Sequence, residues 1–336
     1  MRKYLVYFVL ALTAFLAACS SRSTGPYQLK IAYVPHLCHA AMHIAVEKGF
    51  FEAEGIKPEM VQIDSGHVQE ALGSGQLDVG AGLVSKFLQP IENGLPVKFV
   101  AGLHTGCIKV LTKKDSGIAS LKDLKGKRIG VPGLADATTY LLKRALIHQG
   151  IRVDEKDPEV GFVVFSRNDL PQALEKGVVD VIALVDPVAS IAEKEYGLHV
   201  LLDSGKTAPY DKEYCCAVFI ASRLAKEHPE IAAGLTRAIL KASAWVQAHP
   251  EEAAKIQLDK KYVAGNLEFN TKLLKSYSFK PSVQGGYDAV YQNAKEFAHI
   301  GLIKKDTDPK AFADSVYLFQ KDVPDSYSAA DVAGVK

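Results

Sequence analysis

One pattern occurs twice along the 336-residue chain, and it limits the possible folds more than any other feature of the sequence. In residues 67–81 and again in residues 169–183, a Gln and an Ala-Leu pair are followed by a glycine, two further residues, Asp-Val and an apolar stretch. This pattern predicts a helix that stops at the glycine and a turn that leads into a buried strand. A chain of this length is also more than one hydrophobic core usually serves. We therefore expect two similar α/β lobes, with one copy of the unit in each.

Short apolar stretches alternate with helical patterns over much of the remaining sequence. Residues 29–34 predict a strand that Pro35 ends, and small and apolar residues from Ala40 onward predict the helix that follows. Regular alternation of this kind favours a mostly parallel sheet wound on both faces in each lobe. After residue 222 the patterns become mainly helical, and the polar tail from Asp322 is expected to be loosely held.

The N-terminus has the pattern of a targeting segment. Arg2 and Lys3 precede a short apolar run, and Leu16-Ala-Ala brings small residues directly before Cys19. This arrangement resembles the bacterial lipobox, which implies cleavage before Cys19 and lipidation of its sulfur. We expect residues 1–18 to be a lipoprotein signal peptide and residues 19–26 a flexible tether. The protein would then be lipid-anchored at the bacterial cell envelope, facing the periplasm or the extracellular side; the alternative is a plain secretory signal.

Four further stretches, in order, carry a family resemblance. They are residues 40–56 (Ala-Ala-Met-His-Ile-Ala-Val-Glu-Lys-Gly-Phe-Phe-Glu-Ala-Glu-Gly-Ile), 71–80 (Ala-Leu-Gly-Ser-Gly-Gln-Leu-Asp-Val-Gly), 121–133 (Leu-Lys-Asp-Leu-Lys-Gly-Lys-Arg-Ile-Gly-Val-Pro-Gly) and 172–181 (Gln-Ala-Leu-Glu-Lys-Gly-Val-Val-Asp-Val). Together with the lipobox they resemble the solute-binding proteins of ABC importers. The branch they resemble serves nitrate, sulfonates, taurine, bicarbonate and thiamine pyrimidine precursors.

The resemblance implies a two-lobed α/β periplasmic-binding-protein fold (type II), with two doubly wound lobes, two hinge strands and a helical C-terminal region. Lobe 1 would comprise residues 27–110 and 222–336, and lobe 2 residues 111–221, with hinge strands at Ile108–Thr112 and Ala217–Ala221. A monomer of this kind captures a small solute between its lobes, has no catalytic activity, and delivers the solute to a membrane permease with its ATPase. The net charge of +2 also argues against a nucleic-acid partner.

In this family the ligand contacts come from loops at strand ends, and the resemblance carries them onto sixteen positions here. They are His36, Cys38, His39, Ser65, Gly66, Val84, Ser85, His104, Cys107, Asp136, Thr138, Thr139, Asp186, Tyr214, Cys215 and Cys216. The helix starting near Thr138 would point N–H groups at the cleft and suit an anion, but Asp136 puts a negative charge there. No arginine falls on these loops, so we rank nitrate, sulfonate and bicarbonate below other ligands.

Sulfur and imidazole are concentrated on the same loops. The candidate metal ligands are His36, Cys38, His39, His104, Cys107, Cys215 and Cys216. Thiolates and imidazoles together suit zinc, copper or iron, so we expect a candidate transition-metal site, although no cofactor is certain. The alternatives are two disulfides (Cys38 with Cys107 and Cys215 with Cys216), free packing thiols, or direct contact with an organic ligand.

An enzyme on the same scaffold is the alternative function. Tyr214-Cys-Cys-Ala-Val-Phe219 falls where the fungal thiamine pyrimidine synthases, which share this fold, carry a cysteine-rich iron motif. Only the paired cysteines match that motif. The alternative is therefore a synthase-like or metal-dependent enzyme.

Overall fold

Val79–Leu83 and Val181–Val185, the strands that end the two repeated segments, lie in two different five-stranded sheets. In this computed structural model residues 26–64, 66–153 and 156–335 are described. The signal peptide, Cys19 and most of the tether therefore lie outside the described residues, as does Ser65. The prediction of two α/β lobes is confirmed.

Sheet 1 has the strand order β2-β1-β3-β10-β4, and sheet 2 has the order β7-β6-β8-β5-β9. The strands of sheet 1 are β1 (Tyr27–Tyr33), β2 (Ile56–Gln62), β3 (Val79–Leu83), β4 (Val97–Thr105) and β10 (Tyr214–Ala221). Those of sheet 2 are β5 (Ile108–Thr112), β6 (Arg128–Val131), β7 (Gly161–Val164), β8 (Val181–Val185) and β9 (His199–Asp203). All five residues of β8 are buried, as expected for a strand covered by helices on both faces.

One strand in each sheet runs opposite to the other four. β10 is antiparallel to β3 and β4, and β5 is antiparallel to β8 and β9. The chain enters each reversed strand directly from the other sheet, so no crossover helix of the kind that a parallel connection needs lies between them. The sheets are therefore mostly parallel, as predicted, but mixed.

Twelve α-helices lie within the described part of the chain. They are α1 (Ala40–Glu47), α2 (Val68–Gly73), α3 (Ser85–Glu92), α4 (Ala137–His148), α5 (Leu170–Glu175), α6 (Val188–Glu195), α7 (Ser222–Glu227), α8 (Pro229–Ala248), α9 (Pro250–Asp259), α10 (Leu267–Ser276), α11 (Val283–Ile300) and α12 (Pro309–Val316). The last six form the predicted helical C-terminal region, in which α8 packs on α1 and α11 on β4. In this part of the chain, none is both long enough and apolar enough to cross a bilayer.

The C-terminal tail is held more firmly than its polar composition suggested. Val332 is buried on a short 3-10 turn, Ala329–Val332, and packs into the main core. The indole Nε1 of Trp245 in α8 donates a hydrogen bond to the carbonyl oxygen of Val335. The expectation of a loose tail is therefore wrong, because two valines among polar residues suffice to dock it.

Two passages connect the sheets, and they touch each other. The chain leaves sheet 1 at Gly106 and Cys107 and returns through residues 204–213, so β5 and β10 each lie wholly in one sheet. A Cβ added to Gly106 would lie 2.4 Å from the Cα of Gly205. Gly106 also has a φ of +68°, in the left-handed region that glycine tolerates best. Only glycine fits where the passages meet.

This contact predicts a large effect of Gly106→Ala. We expect a loss in unfolding free energy of about 1–2 kcal/mol from the left-handed backbone and about 1–3 kcal/mol more from overpacking against Gly205. Gly117→Ala is the matched control, because Gly117 has a φ of +72° but no neighbouring atom within 4 Å of an added Cβ. Urea unfolding of both variants measures the difference, and equal losses would contradict the close approach.

Candidate functional site

The direction of β10 determines which residues meet at the edge of sheet 1 that faces sheet 2. Because β10 runs antiparallel between β3 and β4, its first residues lie beside the carboxyl ends of both neighbours. Cys216 is paired with Leu83 of β3 and with His104 of β4. Cys38 lies on the 3-10 turn Leu37–His39, which follows β1 in the same sheet. Strand order therefore brings Cys38, His104 and Cys216 to one edge.

We call Cys38, His104, Cys107, Cys215 and Cys216 the thiol–imidazole cluster. All four of its cysteines are free thiols, and all but the half-buried Cys215 are buried. The Sγ of Cys107 lies 3.2 Å from the Sγ of Cys215, which in turn lies 3.7 Å from Nδ1 of His104. Cys107 and Cys215 are not one of the two cysteine pairs that the sequence suggested as disulfides.

Three overlapping groups bring candidate ligand atoms within 4.8 Å of one another. They are Cys38, His104 and Cys216; Cys107, Cys215 and Cys216; and His36, Cys38 and His39. Cys38 and Cys216 each belong to two groups, so the groups form one continuous set. All seven residues predicted as metal ligands are thus brought together.

The thiols of the cluster differ in acidity because of their mutual hydrogen bonds. A hydrogen bond with Cys216, together with those of two imidazoles, holds the pKa of Cys38 well below its ordinary value despite burial. Hydrogen bonding to Cys107 and to its other sulfur neighbours raises the pKa of Cys216 well above that value. The contact with Cys215 likewise raises the pKa of Cys107 well above its ordinary value. Burial opposes ionisation of Cys215, but its hydrogen bonds with Cys107 and Cys216 lower its pKa to about 6. Cys38 and Cys215 are therefore the acidic thiols of the cluster.

The pKa values of His39 and His104 are shifted in opposite directions. Burial lowers the pKa of His39 to about 4, so this side chain is neutral at neutral pH. Burial alone would also lower the pKa of His104, but the nearby sulfur of Cys38 and the charge of that thiolate raise it instead. The ring of His104 is fully buried against Tyr277 and Phe279, and its Nε2 has no hydrogen-bond partner among the described residues.

Three members of the cluster, Cys38, Cys107 and Cys216, line a cleft between the sheets that has about 650 Å³ of empty volume, its open mouth included. Apolar walls come from both sides: Val34, Val68, Leu83 and Phe87 with sheet 1, and Val185 with sheet 2. Of the predicted site residues, six line this cleft. They are His36, Cys38, His39, Cys107, Asp186 and Cys216. Asp186 is buried, and burial raises its pKa.

An arginine that the sequence interpretation missed also reaches the cleft. Arg167, on the turn after β7, donates from Nη2 to Oδ2 of Asp136 at 3.0 Å. No arginine falls on the loops of the family pattern, and Arg167 reaches the cleft from a loop outside that pattern. The position of Arg167 just after a predicted strand could have identified it. Since Asp136 already pairs with it, this guanidinium is not a free anion-binding group.

The remaining predicted residues lie around this cleft rather than in it. Thr138 and Thr139 are fully buried, and their hydroxyl groups donate to Asp136 and to the carbonyl oxygen of Gly133. Gly66 is exposed on the loop after β2. Four others line an adjoining cavity between the lobes. They are Val84, Ser85, Tyr214 and Cys215.

The adjoining cavity contains an ion-pair network that crosses between the lobes and that no sequence motif signalled. Arg144 of α4, which is 4% exposed, forms ion pairs with Glu213 on the return passage and with Glu296 of α11. It also donates to Oδ1 of Asn293 at 3.1 Å. Burial opposes ionisation of Glu296, but the bond to Arg144 outweighs it and lowers the pKa of that carboxyl. The network ties sheet 2 to the C-terminal helices.

Comparisons with known proteins agree with this architecture. A family model described as NMT1/THI5 like matches residues 37–253. A protein of Bacillus subtilis (strain 168), named a putative aliphatic sulfonates-binding protein, is 28% identical over 292 residues, 82% of this chain and 84% of that protein. The 4-amino-5-hydroxymethyl-2-methylpyrimidine phosphate synthase of Aspergillus parasiticus is 25% identical over 240 residues, 68% of each chain.

Among solved structures, the periplasmic aliphatic sulphonate binding protein SsuA of Escherichia coli has the same fold. Its TM-score is 0.72 at 19% identity, and the match covers 90% of this chain and 96% of that one. The type II periplasmic-binding-protein fold expected from the sequence is therefore confirmed.

The ion-pair network predicts a pH dependence. The pKa of Glu296 is lower in the folded protein than in the unfolded chain, so its ionised form stabilises the fold. This stabilisation is complete above the ordinary glutamate pKa of about 4.3, and it is lost as the pH falls through the pKa of the folded state. We expect Glu296→Gln to lose about 1–3 kcal/mol of stability at neutral pH and to show a shallower acid decline. Asp259→Asn, which removes an exposed pair with Lys255, is the control and should match the native protein. Chemical unfolding between pH 3 and 7, in steps of about one unit, measures how the free energy of unfolding changes with pH. Identical slopes for Glu296→Gln and the native protein would contradict this assignment.

Proposed function

The chain belongs to the NMT1/THI5-like family, and from that premise we propose that it is the substrate-binding lipoprotein of an ABC importer. It captures a small solute between its two lobes and delivers it to a membrane permease and its ATPase. The observation that carries this proposal is the cleft, whose walls come from loops of both sheets. Ligands of open α/β sheets bind at such strand ends.

Capture requires that the solute bind the closed lobes better than the open ones. The two passages at Gly106 and at residues 204–213 are the covalent links between the sheets, and a hinge motion would be concentrated there. Arg144 and its partners join the lobes beside the cleft, so they favour the closed arrangement. A permease that recognises the closed arrangement would then receive only loaded protein.

Position at the cell envelope is part of the same proposal. The basic, apolar and small residues before Cys19 support export and lipidation, which would hold the protein beside its permease. The tether of residues 19–26 would leave the two lobes free to close.

A synthase-like enzyme is the second candidate. The Aspergillus parasiticus relative carries the name of such an enzyme, and Cys215 and Cys216 lie together in a group able to hold a metal. A synthase that draws on cytoplasmic cofactors would act in the cytoplasm. Cell fractionation therefore separates the two candidates, since only the importer protein is expected in the envelope.

Solute capture predicts that filling the cleft abolishes binding. Leu83 is partly exposed, packs against the main core and lines both interlobe cavities, so the larger side chain of Leu83→Trp should occupy the cleft and block the solute. Leu267→Trp is the matched control, because Leu267 is 38% exposed on α10 outside the cleft. Native mass spectrometry of protein isolated from the envelope should show a retained small molecule on the native chain and on Leu267→Trp only. A folded Leu83→Trp variant that retains the same mass would count against the proposal.

Lipidation makes a separate prediction. Cys19→Ala should move the protein from the membrane fraction to the soluble fraction, because no acyl chains can be attached. Cys38→Ser, a cysteine change within the cleft, should stay with the membrane. Immunoblots of the two fractions and intact mass measure the outcome. Membrane retention of Cys19→Ala would show that another feature anchors the chain.

A further inference from the structure

We propose that the cleft recognises a thiophilic transition-metal ion, held by Cys38, His104 and Cys216 with Cys107 and Cys215 beside them. The ion is Zn²⁺, Cu⁺ or Fe²⁺, either bare or carried by a small chelator. This inference rests on the proposed function, because Cys38, Cys107 and Cys216 of the thiol–imidazole cluster line the cleft assigned to solute capture. It deepens that function by naming the class of the solute.

The ligands of this site converge from separate parts of the chain. Cys38 follows β1, His104 ends β4, Cys107 lies on the outgoing passage and Cys216 is in β10. All four mature cysteines fall in this one cluster, although the sequence spreads them from residue 38 to residue 216. Cysteines that merely fill a core have no need to meet one another or an imidazole.

The distances between the ligand atoms also suit a metal ion. Two thiolates bound at 2.3 Å to a tetrahedral metal lie about 3.8 Å apart. The groups around Cys216 have all their ligand atoms within 4.8 Å of one another, and the Sγ atoms of Cys107 and Cys215 are 3.2 Å apart. These separations bracket the value for a shared metal, and a disulfide of about 2.05 Å is much shorter. Shifts of about 1 Å would complete a site.

One buried polar atom of the cluster lacks a hydrogen-bond partner among the described residues. His104 is completely buried, yet its Nε2 has no hydrogen-bond partner among the residues that the structure describes. Leaving such a group unpaired costs about 1–3 kcal/mol. A metal ion bound through the imidazole would fix the tautomer and give each ring nitrogen a partner, since Nδ1 already contacts the carbonyl oxygen of Thr105 at 3.2 Å.

The ligand set also selects the metal. Sulfur donors predominate over nitrogen, which favours Zn²⁺, Cu⁺ and Fe²⁺ over the hard ions Mg²⁺ and Ca²⁺. Asp186 is the carboxylate of the cleft, and its Oδ1 accepts from the backbone N–H of Ser190 instead.

The experiment uses the full chain, isolated anaerobically from the envelope and freed of reductant. We expect native mass spectrometry to show one transition-metal ion per chain, with added mass if a chelator accompanies it. Metal-stripped protein should take up one equivalent of Zn²⁺ or Cu⁺ in the presence of a competing chelator. Co²⁺ should give the near-ultraviolet charge-transfer absorption of thiolate ligation, a reading that requires no variant.

Variants locate the site. Cys216→Ser should weaken Zn²⁺ binding at least about 100-fold, whereas His199→Gln, an exposed histidine of β9, should leave it unchanged. Circular dichroism of the metal-free proteins checks folding, and His104→Gln replaces Cys216→Ser if the latter is unfolded.

Three results would overturn the metal proposal. They are reduced, folded protein that takes up no Zn²⁺ or Cu⁺, a Co²⁺ spectrum without thiolate absorption, and a disulfide between Cys107 and Cys215 in the anaerobically isolated protein. If a metal-free organic molecule is retained instead, the metal proposal fails while solute capture stands. If the isolated protein retains no organic molecule and binds no metal ion, the metal proposal and the solute-capture proposal both fail.

Discussion

The reversed strand β10 is the constraint on which the site depends. Its backbone hydrogen bonds to β3 and β4 fix the register that sets Cys216 beside Leu83 and His104. A shift of one residue would turn every side chain of the strand to the opposite face. The same strand also ends the return passage between the lobes. Register, hinge and site are therefore consequences of one set of backbone bonds.

Much of the architecture could be predicted because it is encoded locally. The repeated helix–glycine–strand unit identified β3 and β8, which proved to lie in separate sheets. Strand ends such as that before His36 are marked by proline and by the change from apolar to helical pattern. Because parallel strands direct their carboxyl ends to one edge, locally recognisable loops also indicated where the cysteines would meet.

The features that could not be predicted depend on contacts between distant residues. Arg144 and Glu296 are 152 positions apart, and nothing in either helix pattern indicates the partner. The pairing of Arg167 with Asp136 likewise depends on the placement of two loops of sheet 2. The reversal of β10 follows from its entry after a passage, which an apolar run in the sequence does not reveal. Thiol contacts depend on that reversal, so the contact between Cys107 and Cys215 was also missed.

The central claim is that the two lobes close on a solute in the cleft. Small-angle X-ray scattering on protein that retains its solute, and on the same protein after unfolding, dialysis and refolding, tests it most directly. A hinge at the two passages predicts a larger radius of gyration for the stripped protein and a return to the smaller value when the dialysed solute is restored. Identical scattering from loaded and stripped protein would contradict closure and, with it, the function proposed for this cleft.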